Sequence, residues 1–265
     1  MTVKTADGAT INTRVTEGEQ PAVVFVHGWA NNQTIWDEEV ISLENKAITF
    51  DLRGHGCSTR GSQKISLNVL VDDLHRVIEE KGISEYILVG HSLGGMLVLH
   101  HEARFSTAEY IVVMDTSAKP IGNKMSQFLS ETISLPDLFH WKDEDTPIEN
   151  YASSDILTFL QGLPSTSTNT IWECFEAMHH NEVTTTLSTP ATVIRGTNDY
   201  LLPEPYTKSV RSVLTDSDMV RVADAGHFPQ LQRPAVINEV LKTVIDQCQV
   251  TDPDVSASSD RRNND

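Results

Sequence analysis

The sequence predicts an α/β fold: a mostly parallel central sheet with helices on both faces. Two observations predict it. Short continuous runs of apolar, mainly β-branched residues recur along the chain, as expected of strands covered on both sides. Between them lie segments with apolar residues at helical spacing, and a strand–helix alternation implies a parallel sheet. A length of 265 residues suits a single unit of this class.

The elements follow in order. Residues 1–20 alternate polar and apolar around Asp7-Gly8, a turn pair, and predict an N-terminal hairpin. "PAVVFVHG", from Pro21 to Gly28, is the first buried strand. "KAITFDLRGHG" is a second, running into a glycine-rich turn. Leu67, Leu70, Leu74, Val77 and Ile78 mark a helix, with Ser66 as its N-cap and Gly82 as its stop. The strand "YILVG", a helix from about Gly94 and the strand "YIVVMD" come next. The alternation lapses between Lys119 and Pro190, where "KMSQFLSETI", "SDILTFLQGL" and "TIWECFEAMHH" are helix-like and no strand is evident. It resumes with "ATVIRGTND", a helical stretch, "DMVRVADAGH" and a last helix from about Pro234 to Gln249. The organisation expected is a core of residues 1–118 and 190–250, a helical cap over 119–189, and a polar, disordered tail over 251–265.

One stretch carries chemistry. Gly90-His91-Ser92-Leu93-Gly94 fits G-x-S-x-G between a strand and a helix. The pattern alone arises by chance in about one chain in ten of this length. Its setting is what a nucleophile elbow requires, with the serine in a strained turn and glycines where a Cβ would strike neighbouring backbone. A serine needs a base to take its proton, and the base needs a carboxylate to hold its tautomer. His227 in "ADAGHFPQLQRP" and Asp199 in "RGTNDYLLP" each follow a predicted strand, on the sheet edge that also carries Ser92. The order Ser, Asp, His is that of a known hydrolase architecture.

With "VVFVHGW", "FDLRGHGCS", "VGHSLGGM", "RGTND" and "AGHFPQLQRP" in this order, nearly the whole chain resembles the α/β-hydrolases, and in particular small cofactor-free serine esterases and enol-lactonases. The resemblance implies the α/β-hydrolase fold, with Ser92, Asp199 and His227 as catalytic triad. It further implies an oxyanion hole from the backbone N–H groups of Trp29, after His27-Gly28, and of Leu93, after the serine. Haloalkane dehalogenases and epoxide hydrolases carry Asp at the elbow, and Ser92 argues against their alkyl-enzyme chemistry.

Asp115 competes for the role of triad acid, because it closes "YIVVMD", where some members of this fold keep their carboxylate. Cofactor-free quinolone dioxygenases, which resemble these hydrolases, use a His–Asp dyad with an acid there. Their elbow reads S-H-G-G-W, whereas this chain has S-L-G-G-M and retains Asp199. The oxygenase, and a signalling or binding protein on the same scaffold, stay open as alternatives.

Of the ten histidines most are read as structural: His100-His101 and His179-His180 lie in helix-like stretches as adjacent pairs and lack the i, i+4 spacing of a helical metal site. No metal and no cofactor is expected. His55 is read as a turn residue, and His27 and His91 as residues that orient the loops around the site. Met125, Phe128, Phe139, Trp141, Phe159, Trp172, Phe175 and Met178 in the inserted segment could roof an apolar pocket. His27, Phe128, Trp141, Trp172 and Phe228 are its candidate lining.

Composition bounds the partners. A net charge of −17, from 37 acidic and 20 basic residues, disfavours nucleic acid and anionic membranes. Cys57, Cys174 and Cys248 are scattered and odd in number, without C-x-x-C pairing, which argues against a disulfide framework or zinc site. The first 20 residues lack an apolar export segment, and no run of about 18 apolar residues could span a bilayer. A cytoplasmic enzyme acting on a small, mainly apolar carboxylic ester or lactone is the expectation.

Overall fold

The computed structural model describes residues 1–121 and 165–250. Eight strands form one sheet: β1 Thr2–Lys4, β2 Thr10–Thr16, β3 Glu19–Val26, β4 Asn45–Phe50, β5 Tyr86–His91, β6 Tyr110–Met114, β7 Ala191–Gly196 and β8 Ser217–Val222. Their order is β1-β2-β4-β3-β5-β6-β7-β8. The pairs β1/β2 and β2/β4 are antiparallel, and β4/β3 through β7/β8 are parallel. The N-terminal hairpin forms as expected and also extends the sheet, by pairing Thr13–Thr16 with Phe50–Ala47.

Helices α1 Asp37–Ser42, α2 Leu67–Glu80, α3 Leu93–Arg104, α4 Thr168–His179, α5 Glu204–Val213, α6 Pro229–Gln232 and α7 Pro234–Val250 complete the described elements, with a 3₁₀ turn at Gln33–Trp36. Ser66 caps α2 as its spacing suggested, its hydroxyl accepting the Val69 N–H. The apolar strands supply two cores because alternate residues point to opposite faces. Val24, Val26, Leu88, Ile111 and Val113 meet α2 and α3 on one side. Val23, Phe25, Ile87, Val89 and Val112 meet Trp36 and the α7 residues Ile237, Leu241 and Val244 on the other.

Of the segment 119–189 the described part is its two ends. α4 turns Cys174, Phe175, Ala177 and Met178 into the first core. Glu173 on α4 accepts the Ile65 N–H at 2.8 Å and pairs with Arg60, which fastens the helix to the loop before α2. Met125, Phe128, Phe139, Trp141, Phe159 and the tail over 251–265 lie outside the described residues.

A buried ion network ties the hairpin to the core. Arg53, after β4, donates to Asp7 in the hairpin turn at 2.6 and 3.2 Å and to Asp73 on α2 at 2.7 and 2.8 Å. All three side chains are 5% exposed or less. Removing the cation strands two buried carboxylates, so Arg53→Met is expected to destabilise the fold by about 3–5 kcal/mol. Urea melts of the two proteins check this, and a loss below about 1 kcal/mol would contradict it.

Glu39 on α1 is fully buried, and burial pushes its carboxyl up to about 8. The folded state therefore keeps Glu39 protonated at neutral pH, whereas the unfolded chain ionises it near 4.5. Stability from a raised acid is whole below the unfolded value and is lost as pH rises towards the folded one. Glu39→Gln is expected to stabilise by about 3 kcal/mol at pH 7, with the gain shrinking towards zero near pH 4.5. Denaturant melts at pH 5 and pH 7 measure it, and a gain that does not change with pH would refute the linkage.

Candidate active site

The parallel strands deliver their carboxyl ends to one edge, and β3 lies between β4 and β5 at the point where the strand order reverses. Ligand crevices form at such points in open α/β sheets. Gly28 and Trp29 follow β3, Ser92 follows β5, Asp115 follows β6, Asp199 follows β7 and His227 follows β8.

Ser92 joins β5 to α3 with φ 53° and ψ −116°, a region L-residues rarely occupy. The strain persists because the surroundings hold it. The Ser92 N–H donates to the Met114 carbonyl at 3.0 Å, and the Thr116 hydroxyl donates to the Ser92 carbonyl at 2.6 Å. The glycines supply room. A Cβ on Gly94 would stand 2.1 Å from the Val26 carbonyl oxygen, and one on Gly90 would stand 2.5 Å from the Gly94 carbonyl oxygen.

His227 places Nε2 3.0 Å from Ser92 Oγ and Nδ1 3.1 Å from Asp199 Oδ2. Asp199 Oδ1 accepts the N–H groups of Leu201 and Leu202 at 2.9 and 3.1 Å. Burial opposes ionisation of Asp199, but His227, a hydrogen bond with Asp115 and the Leu202 N–H outweigh it. Its pKa is therefore held below the ordinary carboxylate value. Asp115 is pushed well above that value, by burial first and then by the Asp199 charge. A hydroxyl, an imidazole and a carboxylate in this relay can move a proton from serine to histidine while the carboxylate holds the histidine's tautomer.

The loop after β3 lies against the elbow. A Cβ on Gly28 would be 2.9 Å from His91 Nδ1 and 3.2 Å from Ser92 Cβ. Trp29 is half-buried, its indole N–H donating to the Ile171 carbonyl at 3.1 Å and its ring 5.8 Å from Phe175. Leu93 is fully buried at the first position of α3.

The neighbouring histidines brace the loops. His27 is fully buried; Nδ1 donates to the Gly28 carbonyl at 2.8 Å and Nε2 accepts the Leu52 N–H at 2.9 Å. Both nitrogens are thus engaged by backbone, linking the ends of β3 and β4. Burial lowers its pKa to about 4 and that of His91 to about 3, so both rings are neutral at pH 7. Neutral His91 donates from Nε2 to the His227 carbonyl at 2.6 Å. His55 is fully buried beside His27. Phe228, 3% exposed, packs on the rings of His91 and His227 at 4.9 and 5.3 Å. Trp172 is 54% exposed and meets Phe175 edge-on at 6.1 Å. Phe128 and Trp141 lie outside the described residues.

Two supporting residues escaped the sequence reading. Arg195, on β7, is buried and donates to the carbonyls of Leu202 at 2.5 Å and Asp199 at 3.0 Å, which shapes the loop bearing Asp199. Its signal was an arginine inside an apolar strand, where a buried guanidinium must find acceptors. Thr116 had no signal, since a hydroxyl two residues past a strand is ordinary.

Among the described residues, one group of three His, Cys, Asp or Glu side chains comes close enough to chelate: Asp115, Asp199 and His227, with ligand atoms within 4.8 Å of one another. Those atoms are committed to one another, to backbone amides and to Ser92. Also among the described residues, no helix is long and apolar enough to cross a membrane.

The chain is similar to known proteins over most of its length. An esterase of Mycobacterium tuberculosis, Rv0045c, is 23% identical over 252 residues, covering 86% of this chain and 84% of that protein. Among solved structures, a thermophilic esterase from Thermogutta terrifontis superposes with a TM-score of 0.77 at 20% identity, covering 94% and 98% of the two chains. Est816, described as an N-acyl homoserine lactone degrading enzyme, superposes at 0.75 with 20% identity, covering 92% and 99%. Identities this low establish the fold and not the substrate. The model of the alpha/beta hydrolase family matches residues 23–240, and the chain belongs to that family.

Proposed function

We propose that the protein is a serine carboxylic-ester hydrolase acting on a small, mainly apolar ester or lactone. The observation that carries this is the relay from Ser92 Oγ through His227 to Asp199, at 3.0 and 3.1 Å. Ser92 Oγ attacks the ester carbonyl as His227 Nε2 takes its proton. The tetrahedral oxyanion is held by the N–H groups of Trp29 and Leu93, donors whose loss typically costs about 10²–10³ in rate in such enzymes. His227 returns the proton to the leaving alkoxide, which departs as the alcohol and leaves Ser92 acylated. Water then attacks the acyl carbonyl with His227 again as base, releasing the acid and restoring the serine. Side chains, backbone amides and water suffice for every step. A net charge that disfavours anionic partners supports the substrate class, and the esterase and the lactone-degrading enzyme that share the fold make esters and lactones the substrates to test first.

The test is hydrolysis of p-nitrophenyl acetate and butyrate, combined with fluorophosphonate labelling followed by peptide mapping. Turnover is expected, and the label is expected on Ser92 with proportionate loss of activity. Turnover that survives full labelling, or a label elsewhere that abolishes it, would overturn the reading.

A further inference from the structure

The relay ends at Asp199, yet a second buried carboxyl stands behind it. Asp115 leaves β6 with φ 44°, and its N–H donates to the Ile194 carbonyl of β7 at 3.0 Å. It is 1% exposed and Asp199 is 3% exposed. Both its oxygens face the Gly196 N–H, at 3.1 and 3.3 Å. Gly196 lets the loops after β7 and β8 crowd together here, since a Cβ there would fall 2.0 Å from the Gly226 carbonyl oxygen. Asp115, Asp199 and His227 thereby bring one ligand atom each within 4.8 Å.

Two carboxylates this close and this buried cannot both be charged, so the pair shares one proton. The donors decide where it resides. Asp199 faces the N–H groups of Leu201 and Leu202, the ring of His227, and Arg195 with Nη1 3.9 Å from Oδ2. Asp115 has the single Gly196 N–H, divided between its oxygens, and a small pull from the Arg195 charge that burial and the Asp199 carboxylate outweigh. The charge is better stabilised on Asp199, and the proton belongs to Asp115.

We propose that Asp115 and Asp199 act as one acid unit, in which protonated Asp115 donates a hydrogen bond to Asp199 and serves as the positioning residue for the carboxylate that holds His227. The unit rests on the hydrolase reading of Ser92 and His227. It has a consequence for failure of the triad acid. When Asp199 is neutralised, the like charge that kept Asp115 protonated is gone, and Asp115 can ionise within 4.8 Å of His227. Its carboxylate then supplies the countercharge, although without the orienting bond to Nδ1.

The experiment is a double-mutant cycle of Asp115→Asn and Asp199→Asn, reading kcat/KM for p-nitrophenyl butyrate against pH, with thermal melts to show that each variant folds. Asp199→Asn alone is expected to lose about 10–10²-fold, well short of the ~10⁴ seen when a triad acid has no substitute. Its activity should also fall on acidification through a limb set by protonation of Asp115, which the double variant lacks. Asp115→Asn, whose amide can still donate to Asp199, is expected to lose under about tenfold, and the double variant about 10⁴-fold. Single losses that simply multiply to the double, with no acid limb that the double variant lacks, would overturn the unit. Infrared difference spectra of wild type against Asp115→Asn at pH 7 give a reading independent of turnover. Buried Glu39 contributes a protonated-carboxyl band to both proteins and cancels in the difference; a second such band, from wild type alone, is expected to remain, and its absence refutes the shared proton. If no variant hydrolyses esters while that band is present, the esterase reading fails and the carboxyl pair stands.

Discussion

Ser92→Ala is expected to lower ester turnover by about 10⁴–10⁶-fold while leaving the melting temperature within a few degrees of wild type. On the proposed mechanism the size follows from removing the nucleophile of a unit whose members act together, so that the loss of one approaches the loss of all. Near-native stability follows from the fold. The residue's backbone bonds to Met114 and Thr116 do not involve its side chain, and the side chain loses only its hydrogen bond with His227. Steady-state hydrolysis of p-nitrophenyl butyrate and calorimetry on the same preparation check both halves. A variant that keeps more than about a tenth of the activity would remove Ser92 from the mechanism.

Gly94→Ala is expected to damage stability and activity together, although the added methyl touches no reacting atom. Its Cβ would sit 2.1 Å from the Val26 carbonyl oxygen, about 1 Å inside any normal contact, and that neighbour is rigid backbone. Either β3 or the start of α3 must move, and both carry parts of the site: Gly28 and Trp29 follow the strand, and Ser92 precedes the helix. Overpacking a tight core typically costs about 1–3 kcal/mol. A displacement of about 1 Å at a reacting centre can cost about 10²-fold in rate. Urea melts and kcat measure the two effects. Activity within about threefold of wild type would mean that α3 can shift without carrying Ser92, against the close contacts seen here.

Much of the site could be read from the sequence because each part had a local signature. Ser92 lay in a pentapeptide between a strand and a helix, and Asp199 and His227 each lay in a loop a few residues past a strand. The strands β3 to β7 were legible because a strand covered on both faces is a nearly continuous apolar run, and α2 because its leucines repeat at helical spacing. The shorter pieces were not. The 3₁₀ turn at Gln33–Trp36, α1 at six residues and α6 at four are too brief to show a period. The hairpin was visible at Asp7-Gly8, but its antiparallel pairing with β4 was not, because that partner lies over 30 residues away.

Asp115 and Asp199 show where the boundary falls. As sequence they are two acids after two strands, competing for one role. Folded, they stand in one buried cluster with His227, where mutual repulsion and an unequal supply of donors divide the charge and the proton between them. The sequence by itself determined the strand–helix alternation, the serine turn and the order of Ser92, Asp199 and His227. Those depend on side-chain periodicity and on backbone conformations set within a few residues. The tertiary structure alone decided the neutral state of His27 and His91, the anchoring of Trp29 on α4, the bracing by Arg195 and the pairing of the two aspartates. Each of these depends on burial and on hydrogen-bond partners brought from distant parts of the chain, which exist only once the strands lie side by side.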